Sequence, residues 1–320
     1  MVAIAKLRNE KLTPFGLHDK LHVDGKYLVN KKGKKVILRG LSTHNLSSFP
    51  RYVNEDGVRE LVNRFDLDVF RLAMYCGPAD GDHGYADGDL AHRDMLEQLV
   101  IKGVEICAKL GIYCILDWHV LLEKTPMKYK EEAKAFFAKM CPLLKDYDNV
   151  IYEICNEPNG PEAPWSEVKA YAEEVIPVIR GIDPEKIIIV GTPMWSQDVH
   201  LAAKDPLAYE NIMYTMHFYA DTHKEELRDK VREALTKDLP IFCTEFGVCN
   251  AQGDGDINVE ESKTWIRFLK ENSISFVIWN LSNKNETSAI LSPDCRVDYG
   301  YKDADFSPCG KFINELFATK

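Results

Sequence analysis

Short apolar runs and longer stretches of helical periodicity alternate along most of this chain. The runs fall at residues 36–40, 69–75, 113–118, 150–155, 187–191, 212–218, 241–244 and 276–281. Each is brief and rich in β-branched or aromatic side chains, as a buried strand should be. Helical spacing fills the gaps at 55–65, 90–110, 131–145, 166–180, 224–236, 259–270 and 310–317, with a weaker stretch at 195–204. The longest of these carries Leu96, Leu99, Val100, Val104, Cys107 and Ala108 on one face, the stripe of a helix packed on a core. Gly111 and Gly181 stand where helix C-caps are expected. Ahead of the first run, residues 21–39 alternate apolar and polar positions around Asp24-Gly25 and Lys32-Gly33, which predicts a β-hairpin.

Strand–helix alternation repeated eight times predicts an α/β fold, a parallel (β/α)8 TIM barrel. Residues 21–320 read as that one domain and residues 1–20 as an N-terminal extension, with the hairpin closing the bottom of the barrel. No Pro-, Ser- or Gly-rich linker divides the chain. An open doubly wound sheet is the competing architecture. It would want a Gly-rich phosphate loop after the first strand, and Leu41-Ser-Thr-His-Asn-Leu46 is not one.

Composition narrows the partners more than the fold. The 320 residues are 45% hydrophobic and 28% charged, enough for a sizeable core in a soluble protein. A net charge of −10 argues against nucleic acid or an anionic membrane as partner, since both need a basic surface. No apolar run is long enough for a membrane span, and residues 1–9 lack the apolar core of a signal peptide. The chain therefore reads either as cytosolic or as a form without its leader. Of nine cysteines, Cys107, Cys114, Cys155 and Cys243 lie in apolar runs and read as buried thiols. Only Cys295 and Cys309 lie in loop-like sequence close enough to be weighed as a pair.

In a barrel of this kind the loops at the C-terminal ends of the strands build the active site. The strand ends here are polar or aromatic: His44, Tyr75, Asp117-Trp118-His119, Asn156-Glu157, Trp195, His217 and Tyr219, Glu245, and Trp279-Asn280, with Arg71 inside the second run. A purely structural barrel has no reason to set Arg, His and Glu against apolar runs, where burial is unfavourable without partners. Pro158 disfavours helical geometry before it, so the fourth strand is expected to stop near Glu157. The seventh is expected to end at Glu245, and the two glutamates to face each other across one pocket. Two carboxylates without a metal-ligand cluster or a Ser or Cys nucleophile motif point to glycoside hydrolysis. One carboxyl protonates the leaving oxygen, and the other, ionised, attacks the anomeric carbon or activates water. Their environments must differ. Arg71 is suited to keep Glu245 ionised, Glu157 must start protonated, Tyr219 can hydrogen-bond the nucleophile, and Trp279 offers a sugar ring an apolar face. No cofactor and no metal is called for.

Asn156-Glu157-Pro158 and Thr244-Glu245-Phe246-Gly247 resemble the two catalytic motifs of glycoside hydrolase family 5. Further stretches resemble its subfamily 2 endoglucanases: Phe70-Arg-Leu-Ala-Met-Tyr75, Ile115-Leu-Asp-Trp-His119, Val150-Ile-Tyr-Glu-Ile-Cys155, Ile187-Ile-Ile-Val-Gly-Thr192, Trp195-Ser-Gln-Asp-Val199, His217-Phe-Tyr219 and Trp279-Asn-Leu-Ser282. The likeness spans residues 21–317. It implies Glu157 as acid/base and Glu245 as nucleophile, supported by Arg71, His119, Asn156, His217 and Tyr219. It also implies sugar contacts from His44, Tyr75, Trp195, Trp279 and Lys284. The implied partner is a β-glucan polysaccharide or cello-oligosaccharide, and the implied enzyme is a secreted, monomeric endo-β-1,4-glucanase. Two departures bear on substrate preference. Phe49 or Tyr52 takes the place of a Trp-Tyr pair common after the first-strand His, and Phe246 stands where Trp is common.

Blander and rival readings compete. The loop at 80–89 is rich in Asp and Gly and reads as a solvated turn before a calcium site, because the bidentate Glu of an EF-hand is missing. A metal-dependent barrel hydrolase would draw on His44, Asp117, His119 and His217, but no His-x-His pair is present. A non-catalytic carbohydrate-binding barrel would not need both glutamates. The nearest rival keeps the same machinery and acts mainly on mixed-linkage glucan, xyloglucan or mannan.

Overall fold

Side chains alternate across a strand, so each of the eight runs can turn one set toward a helix and the other toward a common axis. The computed structural model, which describes residues 2–318, has this arrangement. Strands Arg39–Thr43, Val69–Tyr75, Tyr113–His119, Val150–Glu153, Ile188–Val190, Ile212–Tyr219, Ile241–Gly247 and Phe276–Leu281 pair in chain order, and the eighth closes on the first. The barrel interior is layered. Val69, Tyr113, Ile115, Ile151, Ile189, Met213, Phe242 and Val277 form an apolar plug with Leu21, Leu28, Val36 and Leu38. Nearer the C-terminal strand ends the interior turns polar, with Ser42, Arg71, Asp117, Glu153, Thr215 and Thr244 fully buried.

Helices Glu55–Phe65, Leu90–Leu110, Lys130–Leu144, Trp165–Arg180, Glu225–Leu235, Val259–Glu271 and Pro308–Ala318 surround the sheet. Side chains of Asn54, Asp89 and Asn258 cap three of them by accepting from backbone N–H groups one turn in. Gly111 ends its helix in the left-handed region at φ 69°, whereas Gly181 ends its helix at φ −65°.

Several boundaries differ from the sequence reading. The first strand is Arg39–Thr43 rather than 36–40. Val36 and Leu38 instead join the apolar plug, and the Val36 N–H donates to Leu28 O. The fourth strand ends at Glu153, short of Glu157. Beyond it the chain leaves the ladder, and the N–H groups of Glu157 and Asn159 donate to Val120 and Lys124 of the loop after strand three. The weak fifth helix is two short pieces, Pro193–Ser196 and Val199–Ala202, and the backbone of the first is left-handed at Met194, Trp195 and Ser196.

Strand seven runs to Gly247, past Glu245, and carries a bulge. Its register with strand six passes from Thr215↔Phe242 to His217↔Glu245, so one side holds an extra residue. Strict alternation would send Thr244 inward and Glu245 outward. The bulge turns both toward the axis, a common use of such irregularities beside active sites.

The hairpin pairs His22–Asp24 with Tyr27–Val29 and delivers Leu28 to the plug. The residues before it form a small two-stranded ladder, Leu7–Arg8 with Lys11–Leu12, and the helix Pro14–His18. They are fastened to the barrel by Ala5 N to Ala108 O and Phe15 N to Gly111 O, both 2.9 Å.

Candidate active site

A cleft of about 530 Å³ opens at the C-terminal ends of the strands. Of the site residues expected from sequence, His44, Tyr75, His119, Glu157, Trp195, His217, Tyr219, Glu245, Trp279 and Lys284 line it. Arg71 and Asn156 lie beneath, both fully buried. One carboxylate oxygen of Glu157, one of Glu245 and a ring nitrogen of His217 all lie within 4.8 Å of one another.

The two carboxyl groups live in different surroundings. Glu245 accepts from Tyr219 Oη at 2.8 Å and lies 3.5 Å from Arg71 Nη1. Burial lifts its carboxyl up to about 7, while Arg71 and the Tyr219 bond pull the other way. Glu157 Oε1 lies 2.8 Å from His217 Nδ1. Burial, and then the Glu245 charge, push Glu157 well above the usual carboxylate range. Burial, with Arg71 and His119, holds His217 well below its ordinary value, so this ring is neutral. Glu157 is therefore the member of the pair that keeps its proton longer as pH rises.

Arg71 ties the floor of the site together. Its Nε donates to Glu153 at 2.8 Å, and its Nη2 donates to Asn156 Oδ1 at 2.6 Å and lies 2.9 Å from Asp117. One guanidinium thus faces three carboxyl groups, those of Asp117, Glu153 and Glu245, and burial lifts the first two also to about 7. Asp117 lies 2.6 Å from His119 Nδ1, and Asn156 Nδ2 donates to His119 Nε2 at 3.1 Å. The imidazole is locked in one orientation by groups on both sides. It stacks between Tyr75 and Trp279, with ring centroids 4.1 and 5.4 Å away.

The sugar-facing residues expected from sequence form the walls. His44 packs against Trp279 with centroids 5.0 Å apart, and burial lowers its pKa to about 4. Lys284 Nζ lies 2.9 Å from Asp80 and 3.1 Å from Glu286. Trp195 is held at the rim by its backbone N–H, which donates to Pro158 O at 3.1 Å, and it leaves 41% of its surface exposed.

Other expectations fall elsewhere. Trp118, read beside His119 at a strand tip, faces the helices and packs on Tyr85 and Phe136. Tyr52 is buried in the core and Phe49 packs on His44, so neither lines the cleft. In the acidic loop, Asp80 pairs with Lys284, Asp82 accepts from Ser48, Asp87 pairs with His83 and Asp89 caps a helix. Cys295 and Cys309 are separate buried thiols, and Cys309 belongs to the last helix rather than a loop. Residues the sequence reading did not single out are Gln197, Gln252 and Glu286 in the walls and Glu153 and Thr244 in the floor. Glu153 did leave a signal, a charged residue in the middle of an apolar run.

Paired carboxyl groups, one beside a neutral imidazole and one beside a guanidinium and a phenol, are what acid-assisted nucleophilic cleavage in a barrel hydrolase requires. Comparison with known proteins agrees. The family description "Cellulase (glycosyl hydrolase family 5)" matches residues 29–285. The chain is 41% identical over 303 residues to an endoglucanase of Clostridium saccharobutylicum, which covers 95% of this chain and 65% of that protein. It is 44% identical over 284 residues to endoglucanase A of Evansella cellulosilytica, which covers 88% of this chain and 56% of that protein. The chain thus spans less than two thirds of these curated relatives, at 65% and 56% of their lengths. The catalytic domain of Thermobifida fusca endoglucanase Cel5A, solved in complex with cellotetraose, matches with a TM-score of 0.87 and 32% identity over 95% of this chain and 99% of that one. The chain belongs to the cellulase family, glycosyl hydrolase family 5.

Proposed function

We propose that this chain is a retaining endo-β-1,4-glucanase that cuts internal bonds of cellulose and related β-glucans. Residues 21 onward act as one catalytic domain, working on polysaccharide outside the cell as a monomer. The observation that carries the reading is the approach of Glu157 and Glu245 oxygens within 4.8 Å. Retaining enzymes hold their carboxyl groups about 5–5.5 Å apart, whereas inverting ones leave about 6.5–9.5 Å for a water.

In the first step Glu245 attacks the anomeric carbon while Glu157 gives its proton to the glycosidic oxygen, so that the C–O bond breaks and a glycosyl ester forms. In the second, the Glu157 carboxylate takes a proton from water, the hydroxide attacks the same carbon, and Glu245 leaves. Arg71 and Tyr219 favour the ionised nucleophile. His217, His119 and Asn156 hold the acid and its surroundings. Trp279, Tyr75, Trp195, His44 and Lys284 contact the sugars, and the relative solved with cellotetraose has a ligand of the matching kind.

Glu245→Ala is expected to lower hydrolysis of carboxymethylcellulose by at least about 10³-fold while cellotetraose binding, read by calorimetry, survives. Residual activity within tenfold of wild type would remove Glu245 as nucleophile. Glu157→Gln is expected to spare glycosylation by an aryl cellobioside with a good leaving group far more than by cellulose. Equal losses would contradict the acid role. A panel of cellulose, mixed-linkage glucan, xyloglucan and mannan ranks the substrates.

A further inference from the structure

Behind Glu157 a single file of hydrogen bonds runs down into the barrel. His217 Nδ1 lies 2.8 Å from Glu157 Oε1, and His217 Nε2 lies 2.9 Å from Thr244 Oγ1. Thr244 Oγ1 in turn donates to Glu153 Oε1 at 2.6 Å, and Glu153 Oε2 accepts from Arg71 Nε at 2.8 Å. The file draws on strands two, six and seven and on strand four with the loop after it, and every member is buried.

Counting donors fixes the direction of this chain. A guanidinium only donates, and an ionised carboxylate only accepts. Burial lifts the Glu153 carboxyl to about 7 against the pull of Arg71 and Thr244, so it is ionised above that pH. The single hydroxyl proton of Thr244 is committed to that carboxylate. Thr215 Oγ1 contacts the same oxygen, and with the Thr244 proton committed to Glu153 it can only donate there. Thr244 can then only accept from His217, so Nε2 carries the proton of the neutral ring. Nδ1 is left as a lone pair, and a hydrogen bond between it and Glu157 requires a protonated Glu157.

We propose that Glu153 and Thr244 are positioning residues that set the His217 tautomer and thereby hold Glu157 in its acid form before the sugar bond is cleaved. The inference rests on Glu157 being the acid of the proposed reaction. Other groups also face the file. Burial disfavours a charge on Glu157 most, Glu245, Asp117 and the Glu153 charge itself add to that, and Arg71 favours it, while burial, Arg71 and His119 disfavour a charge on His217. The ordering matters most above about pH 7, where Glu153 is ionised.

Glu153→Gln reverses the file. Arg71 must face the amide oxygen, which turns the amide NH2 toward Thr244. Thr244 then donates to His217 Nε2, Nδ1 carries the proton, and the favoured partner becomes the Glu157 carboxylate. Ring 15N chemical shifts of His217 are expected to report Nε2–H in the wild type and Nδ1–H in Glu153→Gln. This readout needs no turnover, so it separates failure of the positioning claim from failure of the hydrolase reading. Nδ1–H in the wild type would overturn the proposal. In activity, Thr244→Val is expected to move the alkaline limb of kcat/KM down by about one pH unit. At pH 8 it should lose about tenfold more on cello-oligosaccharide than on dinitrophenyl cellobioside, and Thr244→Ser, which keeps the hydroxyl, should restore both. Equal losses on both substrates at every pH, or Thr244→Ser as damaging as Thr244→Val, would reduce the pair to packing. If Thr244→Val fails to fold, the Glu153→Gln and Thr244→Ser measurements still decide.

Discussion

At the scale of the residue, the site is governed by the burial of several carboxyl groups around the Arg71 guanidinium. Arg71 faces Asp117, Glu153 and Glu245 at salt-bridge distance, yet burial outweighs its pull, so these carboxyl groups hold protons at pH values where exposed ones would not. The consequence is a pH profile. The proposed nucleophile works only when ionised, and its carboxyl is lifted up to about 7. On the acid side, kcat/KM should therefore fall about tenfold per unit as pH drops below about 7. It should fall again at higher pH as Glu157, which is pushed further up, loses its proton. Initial rates on a soluble cello-oligosaccharide between pH 4 and 10 check this, and an acid limb near pH 4.5 would mean that burial does not govern Glu245. Glu157, Glu245, His119 and His217 were legible because each closes an apolar run with a functional group. Glu153 and Thr244 were not, because their importance lies in which atoms they touch across the barrel, and sequence order carries no such distance.

At the scale of the element, periodicity found every barrel strand and nearly every helix, and it failed where a local irregularity does the aiming. The bulge in strand seven adds one residue without disturbing the apolar pattern, so nothing in the run announced that Thr244 and Glu245 both turn inward. The two C-cap glycines make the same point. Gly111 sits at φ 69°, and a Cβ there would come within 2.1 Å of Ala5 O. Gly181 is right-handed, and its nearest neighbour to an added Cβ is 3.4 Å away. Gly111→Ala should lower stability by about 1–3 kcal/mol, whereas Gly181→Ala should leave it unchanged or raise it by up to about 1 kcal/mol. Denaturant titration of the two variants tests the contrast, and equal effects would refute it.

At the scale of the whole molecule, the barrel is divided into an apolar half and a reactive half, with the N-terminal residues on the apolar side. Phe15 is buried there and packs against Tyr113, ring centroids 5.9 Å apart. A chain beginning at Leu21 should lose at least about 1.5–3 kcal/mol from that side chain alone, seen as a lower melting temperature. Its specific activity at 25 °C should be retained, because the cleft lies at the opposite end. A matching loss of activity in the folded fraction would show that the two halves are coupled. Fold class was legible from alternation because a repeated strand–helix unit has few ways to bury both faces of a sheet.

All nine cysteines are unpaired and buried. A thiol reagent in solution reaches such a group only when the surrounding structure opens. Cys76, Cys114, Cys155, Cys243 and Cys249 lie in or just beyond barrel strands, Cys107 and Cys141 in the helical shell, and Cys295 and Cys309 near the C-terminus. Alkylation followed by mass spectrometry would rank these regions by how often each breathes, using the natural chain with no label engineered into it.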